Sequence, residues 1–315
     1  MADFTVDKAV ILAAGNGSHL LPFSNYVPKP FLPFAGKPII YHQIEDLYSC
    51  GIKDIIIISR KDCDNDGAFR IQNERIRKLS EELGPKGIKI RLVYQEENPL
   101  TGKPMGTADA ITTAKDLLTG HNYIVMLGDL IIESRNEASY LKDMIRHFSG
   151  NPMFSADAVD RESAKKGGIL RSRRLEDLLE MHEAVEKPDD AMLDSIESAD
   201  GKYNVMWGGV YILNANSMDY LESVEPGKDG EKNITDAISL QCKKENSKAY
   251  GLLIDNKRYN CRDFGRIEHW LENNLEDGNI KKFSESLNEY PEEFGRIVRK
   301  FALEKYGKNL NDPSL

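Results

Sequence analysis

The run Ala9-Val-Ile-Leu-Ala-Ala-Gly-Asn-Gly-Ser-His-Leu-Leu-Pro22 joins a short apolar stretch to a glycine-rich turn. A strand that feeds such a turn lets backbone N–H groups come close to phosphate oxygens, because glycine carries no Cβ to keep a ligand away. The glycines alone are equally consistent with a tight turn that holds nothing. Two well-known phosphate loops do not fit. A dinucleotide fingerprint needs a third glycine where Leu20 stands, and an acidic residue at the end of the second strand, where Ser59, Arg60 and Lys61 stand. A Walker loop needs GxxxxGK[ST], but Gly102-Lys103 is followed by Pro104, and Glu97 occupies the first glycine position.

Outward from this run the chain alternates. Pro38 to Cys50 has apolar residues at helical spacing, with Pro38 suited to a first helical turn. Asp54-Ile-Ile-Ile-Ile-Ser59 and Tyr123-Ile-Val-Met-Leu127 are continuous apolar runs, as in strands buried on both faces. Gly67–Leu83 and Gly106–Leu118 are helical in pattern, and Lys89–Gln95 alternates as a strand. Strands alternating with helices predict an α/β fold, a doubly wound and mostly parallel Rossmann-like sheet. Further on, a helix is predicted over Ser134–Phe148, with strands over Phe154–Val159, Gly168–Arg171, Tyr203–Leu213 and Ala249–Ile254. A helix is also predicted over Thr235–Glu245, and the last fifty residues are mostly helical and charged. The loop Glu96–Met105, with two prolines and a glycine, is placed at the rim of a site.

The chain has 315 residues, enough to bury a large core without disulfide or metal staples. Its net charge of −9 and lack of a long basic tract argue against a nucleic-acid-coating role, but not against a phosphorylated small molecule. Cys50, Cys63, Cys242 and Cys261 are not spaced as CxxC, so they indicate neither a zinc site nor a redox pair. With no signal-like start and no apolar run of membrane length, the chain reads as cytoplasmic with no membrane partner.

Pro28-Lys29-Pro30, Leu32-Pro33 and Gly36-Lys37-Pro38 follow the glycine run closely. Two prolines stiffen the backbone around Lys29, so its ammonium could be held near the same phosphates. From Leu12 to Ile40 the chain reads LAAGNGSHLLPFSNYVPKPFLPFAGKPII. It resembles the sugar-1-phosphate nucleotidyltransferases, whose signature runs LAAGxGxRLxPxT…PKPxLPxxGKPxI. The resemblance continues to about Asn273 and implies the family's nucleotide-binding α/β fold with an elaborated sugar-binding half. On this basis residues 1–265 form a nucleotidyltransferase domain and 266–315 a C-terminal helical extension, which either packs on the domain or makes a subunit interface in a homo-oligomer.

The resemblance implies nucleotide binding by Leu12, Ala13, Ala14, Gly15, Asn16, Gly17, Ser18 and His19, with Lys29. Gln95 and Gly106-Thr-Ala-Asp-Ala-Ile111, with Gly106 and Thr107 as its binding residues, resemble the family's base-recognition region: a glutamine amide can pair with a base edge, and a glycine lets backbone approach the ring. Gly128-Asp129 ends a strand where α/β sheets bind ligands, and Asp129 matches a metal-binding aspartate. Glu186-Lys187-Pro188 matches an EKP element, implying sugar binding by Glu186 and phosphate binding by Lys187. Gly208-Gly209 matches a strand lining the sugar pocket, Ile234-Thr235-Asp236 an element supplying a second metal-binding aspartate, and Asp263-Phe-Gly265 a D-x-G before a late helix.

The implied reaction is attack of a sugar 1-phosphate oxygen on the α-phosphorus of a nucleoside triphosphate, with pyrophosphate leaving. The dianionic nucleophile needs no general base. Lys29, Asp129 and Lys187 carry the catalysis by positioning and charge neutralisation, with Mg2+ on Asp129 and Asp236. UTP with glucose 1-phosphate is the common pairing among single-domain relatives; dTTP, CTP and GTP remain open. His19 stands where the signature has arginine, which implies a slower or more pH-sensitive enzyme. A second class also stays open: a regulatory homologue that binds nucleotide-sugars without making them. Pyrophosphate release distinguishes the two.

Overall fold

In the computed structural model, residues 4–312 are described except 62–66, 99–101, 103, 136–138, 166, 187, 197–200, 228–229 and 277. The strands are β1 (Val6–Leu12), β2 (Pro33–Phe34), β3 (Lys37–Pro38), β4 (Asp54–Arg60), β5 (Lys89–Gln95), β6 (Asn122–Leu127), β7 (Leu130–Ser134), β8 (Met153–Val159), β9 (Gly168–Leu175), β10 (Leu178–Glu186), β11 (Tyr203–Leu213), β12 (Ala249–Leu253) and β13 (Tyr259–Asp263). Nine of them form one sheet in the order β5-β4-β1-β6-β11-β8-β12-β10-β9.

The apolar runs explain the centre of this sheet. Ala9 and Ile11 of β1 enter one hydrophobic cluster and Val10 the other, so the strand is buried on both faces. Helices Ile39–Ser49 and Gly67–Leu83 cover the first face; Thr107–Thr112, Ser217–Ser223 and Ile234–Glu245 cover the second. Pro38 is the N-cap residue just before its helix.

The parallel order predicted from alternation holds for β5-β4-β1-β6. Beyond β6 the sheet is mixed: β11 runs antiparallel to β6 and β8, β10 runs antiparallel to β12 and β9, and β12 is parallel to β8. "Mostly parallel" is therefore corrected to a mixed sheet. The second half lacks the βα alternation that parallel crossovers require.

Three element predictions also change. Gly106–Leu118 is two short helices, Thr107–Thr112 and Lys115–Leu118. Ser134 ends β7, and the helix starts only at Tyr140, where the Ser139 side chain accepts from Lys142 N at 3.4 Å. Strands β10 and β13 were not anticipated. In β10 a register shift between Met181 and Glu183 breaks the alternation that marks a half-buried strand.

The late helices Ile267–Leu275, Ile280–Ser286 and Glu292–Tyr306 close over the N-terminal segment. Trp270, Phe283 and Phe294 are fully buried in the same cluster as Phe23 and Phe34. Trp270 Nε1 donates to Pro33 O at 2.8 Å, and Asn274 Nδ2 donates to the same carbonyl at 3.1 Å. Among the described residues, no helix is long and apolar enough to cross a membrane.

Candidate active site

Where β1 ends, the chain leaves the sheet between β4 and β6. Ala13 N donates to Ile58 O at 2.7 Å. The buried Gln72 donates from Nε2 to both Ala13 O and Ser59 Oγ, each at 2.8 Å, anchoring the start of the glycine loop. Gly17 adopts φ 62°, a left-handed conformation that turns the chain into the 3-10 turn Ser18–Leu20. Among the described residues, no protein acceptor takes the amides of residues 15–19. Those N–H groups are therefore available to an anion.

The loop forms one wall of a cavity of about 580 Å3, through residues 12–16 with Ser18 and His19; Gly17 lies behind it. Gln95, Gly106 and Thr107 face it from the other side. Lys29 and Asp129 close one end. Lys29 opens the 3-10 turn Lys29–Phe31 between its two prolines and forms an ion pair with Asp129.

Gln95 is 3% exposed, and its Nε2 donates to Asp109 Oδ2 at 2.8 Å and to Gly106 O at 3.1 Å. Both N–H groups are thus engaged, leaving the amide oxygen as the group for a ligand. The reverse amide orientation would set oxygen against two acceptors. Gly106 lines the cavity and also meets a packing demand that the sequence did not show. At φ 106°, a Cβ on it would lie 2.5 Å from Lys232 O, so the glycine is required by a passing backbone. Lys232 N donates to Met105 O at 2.7 Å, Ala108 N to Lys232 O at 2.9 Å, and Ile234 N to Thr107 Oγ1 at 3.0 Å.

A second cavity of about 380 Å3 shares His19, Lys29, Thr107 and Asp129 with the first. Gly208 and Gly209 line it at φ 88° and 64°, where β11 shifts register between Met206 and Tyr211. A Cβ on Gly208 would meet Ile254 Cδ1 at 2.8 Å, and one on Gly209 would meet Leu130 Cδ1 at 2.6 Å. Trp207 and the exposed Arg266, which the sequence reading did not single out, also face this cavity. Their signal was contextual: each adjoins a recognised motif. Glu186 ends β10 opposite Gly168, another lining residue. The Glu186 side chain and Lys187 lie outside the described residues.

Asp236 is not brought to this junction. It follows Thr235, which lines the second cavity, on helix Ile234–Glu245, but lines neither cavity itself. One helical step turns a side chain by about 100°. The carboxylate that meets Asp129 is Asp263. A Cβ on Gly265 would lie 2.9 Å from Asp263 Oδ1 and 3.3 Å from Asp129 Oδ2, so both oxygens border one small space. Asp263 Oδ1 accepts from Gly265 N at 2.6 Å, and Oδ2 contacts His269 Nδ1 at 3.0 Å. Burial, then the charges of Asp263, Asp157 and Asp129, push the neighbouring Cys261 thiol up to about 12. Asp263 and Asp129 thus face one another in this corner, and the Lys29 ammonium pairs with Asp129 there.

A family model described as Nucleotidyl transferase matches residues 8–280. A Methanocaldococcus jannaschii protein described as a UTP–glucose-1-phosphate uridylyltransferase is 30% identical, over 90% of this chain and 98% of its own. The Escherichia coli protein named UTP–glucose-1-phosphate uridylyltransferase is 28% identical, over 86% and 94%. A crystal structure of UDP-glucose pyrophosphorylase complexed with UDP-glucose superposes with a TM-score of 0.67 at 24% identity, over 85% of this chain and 97% of that one. By the extent of these matches, which span the glycine loop, the Lys29–Asp129 junction and both cavities, the chain belongs to the nucleotidyl transferase family.

Proposed function

We propose that the protein transfers the uridylyl group of UTP to glucose 1-phosphate, forming UDP-glucose and pyrophosphate. The observation that carries this reading is the pair of cavities meeting at Lys29 and Asp129. One is walled by unpaired loop amides and ends at the Gln95 amide; the other is lined by Trp207, Gly208 and Gly209. A nucleotide in the first and a sugar phosphate in the second bring nucleophile and α-phosphorus to the shared Lys29. The names of the relatives supply UTP and glucose 1-phosphate as the pairing. Gln95 agrees, because an amide oxygen left free by two engaged N–H groups accepts the imide N–H of a uracil or thymine.

A phosphate oxygen of the sugar attacks the α-phosphorus; that P–O bond forms as the bond to the β-phosphate breaks. No proton need move, and the barrier is the approach of two polyanions. The loop amides of residues 15–19 orient the triphosphate, Lys29 neutralises charge at the junction, and His19 lies exposed where both cavities meet. Lys187 and Glu186 retain the sugar-phosphate and sugar roles that the resemblance implies. Asp129 and Asp263, hard oxygen donors around one small space, suit Mg2+, with phosphate oxygens and water completing its shell. Such an ion would draw charge from the reacting phosphates. Residues 266–315 are then an extension that braces the catalytic half.

The test is pyrophosphate release from UTP, dTTP, CTP and GTP, each with several sugar 1-phosphates, with and without Mg2+. Turnover is expected to be fastest with UTP and glucose 1-phosphate. UDP-glucose binding with no turnover on any pair would overturn the enzymatic reading in favour of a regulatory homologue.

A further inference from the structure

We propose that Gln43 is a positioning residue for the transfer centre, its buried amide clamping the turn that carries Asp129. Gln43 lies on helix Ile39–Ser49 and is fully buried. The other buried positions of that helix are Ile39, Ile40, Ile44 and Leu47, so an amide interrupts an otherwise apolar face. Its Nε2 donates to Leu127 O at 2.7 Å and to Leu130 O at 2.9 Å. Leu127 ends β6 and Leu130 begins β7, so one side chain ties together both ends of the Gly128–Asp129 turn.

The arrangement carries a cost. Gln43 Oε1 is buried without a partner among the described residues. An orphaned acceptor of this kind costs about 1–3 kcal/mol. Methionine would fill the same volume with no orphan. What glutamine adds is two donors, and both are spent on this turn.

Besides the Lys29–Asp129 pair, two backbone bonds hold the turn: Gly128 N donates to Leu12 O at 2.9 Å, and Phe264 N to Asp129 O at 2.9 Å. They fix Gly128 and Asp129 against their neighbours, while Gln43 fixes the spacing of the two strands on either side. Asp129 lines both cavities and pairs with Lys29, so a shift of this turn misplaces a group common to both substrate sites. A displacement near 1 Å at such a site costs about 100-fold in rate.

The inference rests on the proposed role of Asp129, and the experiment separates the two. Hydrogen exchange across residues 127–131, kcat, the KM for UTP and the Mg2+ concentration giving half-maximal rate are compared among the unsubstituted protein, Gln43→Met and Gln43→Glu. Gln241→Met is the control: Gln241 is also a fully buried amide, bonded to Ser217 and Asn214 away from the site. In Gln43→Met, exchange over 127–131 is expected to quicken by about tenfold, kcat to fall by about 10- to 100-fold, half-maximal Mg2+ to rise, and the KM for UTP to stay within about twofold. Gln43→Glu, which as a neutral carboxyl keeps one donor, is expected to be intermediate, and it carries the comparison where the methionine variant does not fold. Gln241→Met is expected to lower the melting temperature without these changes. Exchange and kcat both within twofold of the unsubstituted protein, or the same pattern in Gln241→Met, would overturn the clamp. Absence of turnover in the unsubstituted protein would overturn the proposed function instead, leaving exchange to decide the clamp.

Discussion

At the scale of single residues, orientation decides chemistry. The Gln95 amide presents its oxygen because Asp109 and Gly106 take its two N–H groups. Asp109→Asn offers a donor in place of that acceptor and lets the amide turn over. The expected result is a fall of about tenfold in the kcat/KM preference for UTP over CTP, about one hydrogen bond's worth. That ratio is unaffected by the fraction of folded protein. The two aspartates seen as partners for Asp129 make a sharper contrast. Asp263→Asn is expected to reduce kcat by about 100-fold and to raise the Mg2+ requirement, with a loss at least about tenfold greater than in Asp236→Asn; equal losses would restore Asp236 to the site. Asp46 is pushed up to about 6 by burial, with help from Glu45. A carboxyl that holds its proton more tightly folded than unfolded favours the fold at low pH, and that stability is lost as pH rises toward 6 and beyond. Asp46→Asn is therefore expected to raise the melting temperature by a few degrees at pH 8 and little at pH 4. Lys29 was legible because it stands inside a spaced signature, and Asp129 because it ends a buried apolar run. Gln43 and Gln72 were not, since nothing local distinguishes a glutamine that holds a distant carbonyl from one in solvent.

At the scale of elements, the first half of the sheet was legible in both its strands and their order, whereas in the second β8, β9, β11 and β12 were legible but β10 and the mixed order were not. β4 is an uninterrupted isoleucine run buried on both faces, which no surface element resembles. β10 and β13 carry charged residues, and among the described residues β13 pairs only with the equally short β7. Their existence depends on partners far away in sequence, which periodicity does not report. The break in β11 follows the same logic: Gly208-Gly209 was read as a lining of the sugar site, and the structure adds that the strand cannot turn there without them. Gly209→Ala would force a Cβ within 2.6 Å of Leu130 at φ 64°. Destabilisation of about 2 kcal/mol or more is expected in chemical denaturation, together with a raised KM for the sugar phosphate.

At the scale of the whole molecule, the C-terminal helices belong to the first core. Trp270, Phe283 and Phe294 fill the space against Phe23 and Phe34, under the segment that carries Lys29. The sequence showed that these residues were mostly helical and charged but not which surface they met. Trp270→Ala is expected to cost about 3–5 kcal/mol, and a chain ending at Gly265 is expected to lose its cooperative unfolding transition. A second consequence follows from the stretch Glu231–Thr235. Glu231 borders the first cavity and Asn233–Thr235 the second, and Lys232 between them is stitched by backbone bonds to Met105 and Ala108. If a ligand orders one end of this stretch, the other end has less freedom left to lose. Each substrate is then expected to bind more tightly once its partner has arrived, by the same factor in either order, which calorimetric titration in both orders would check.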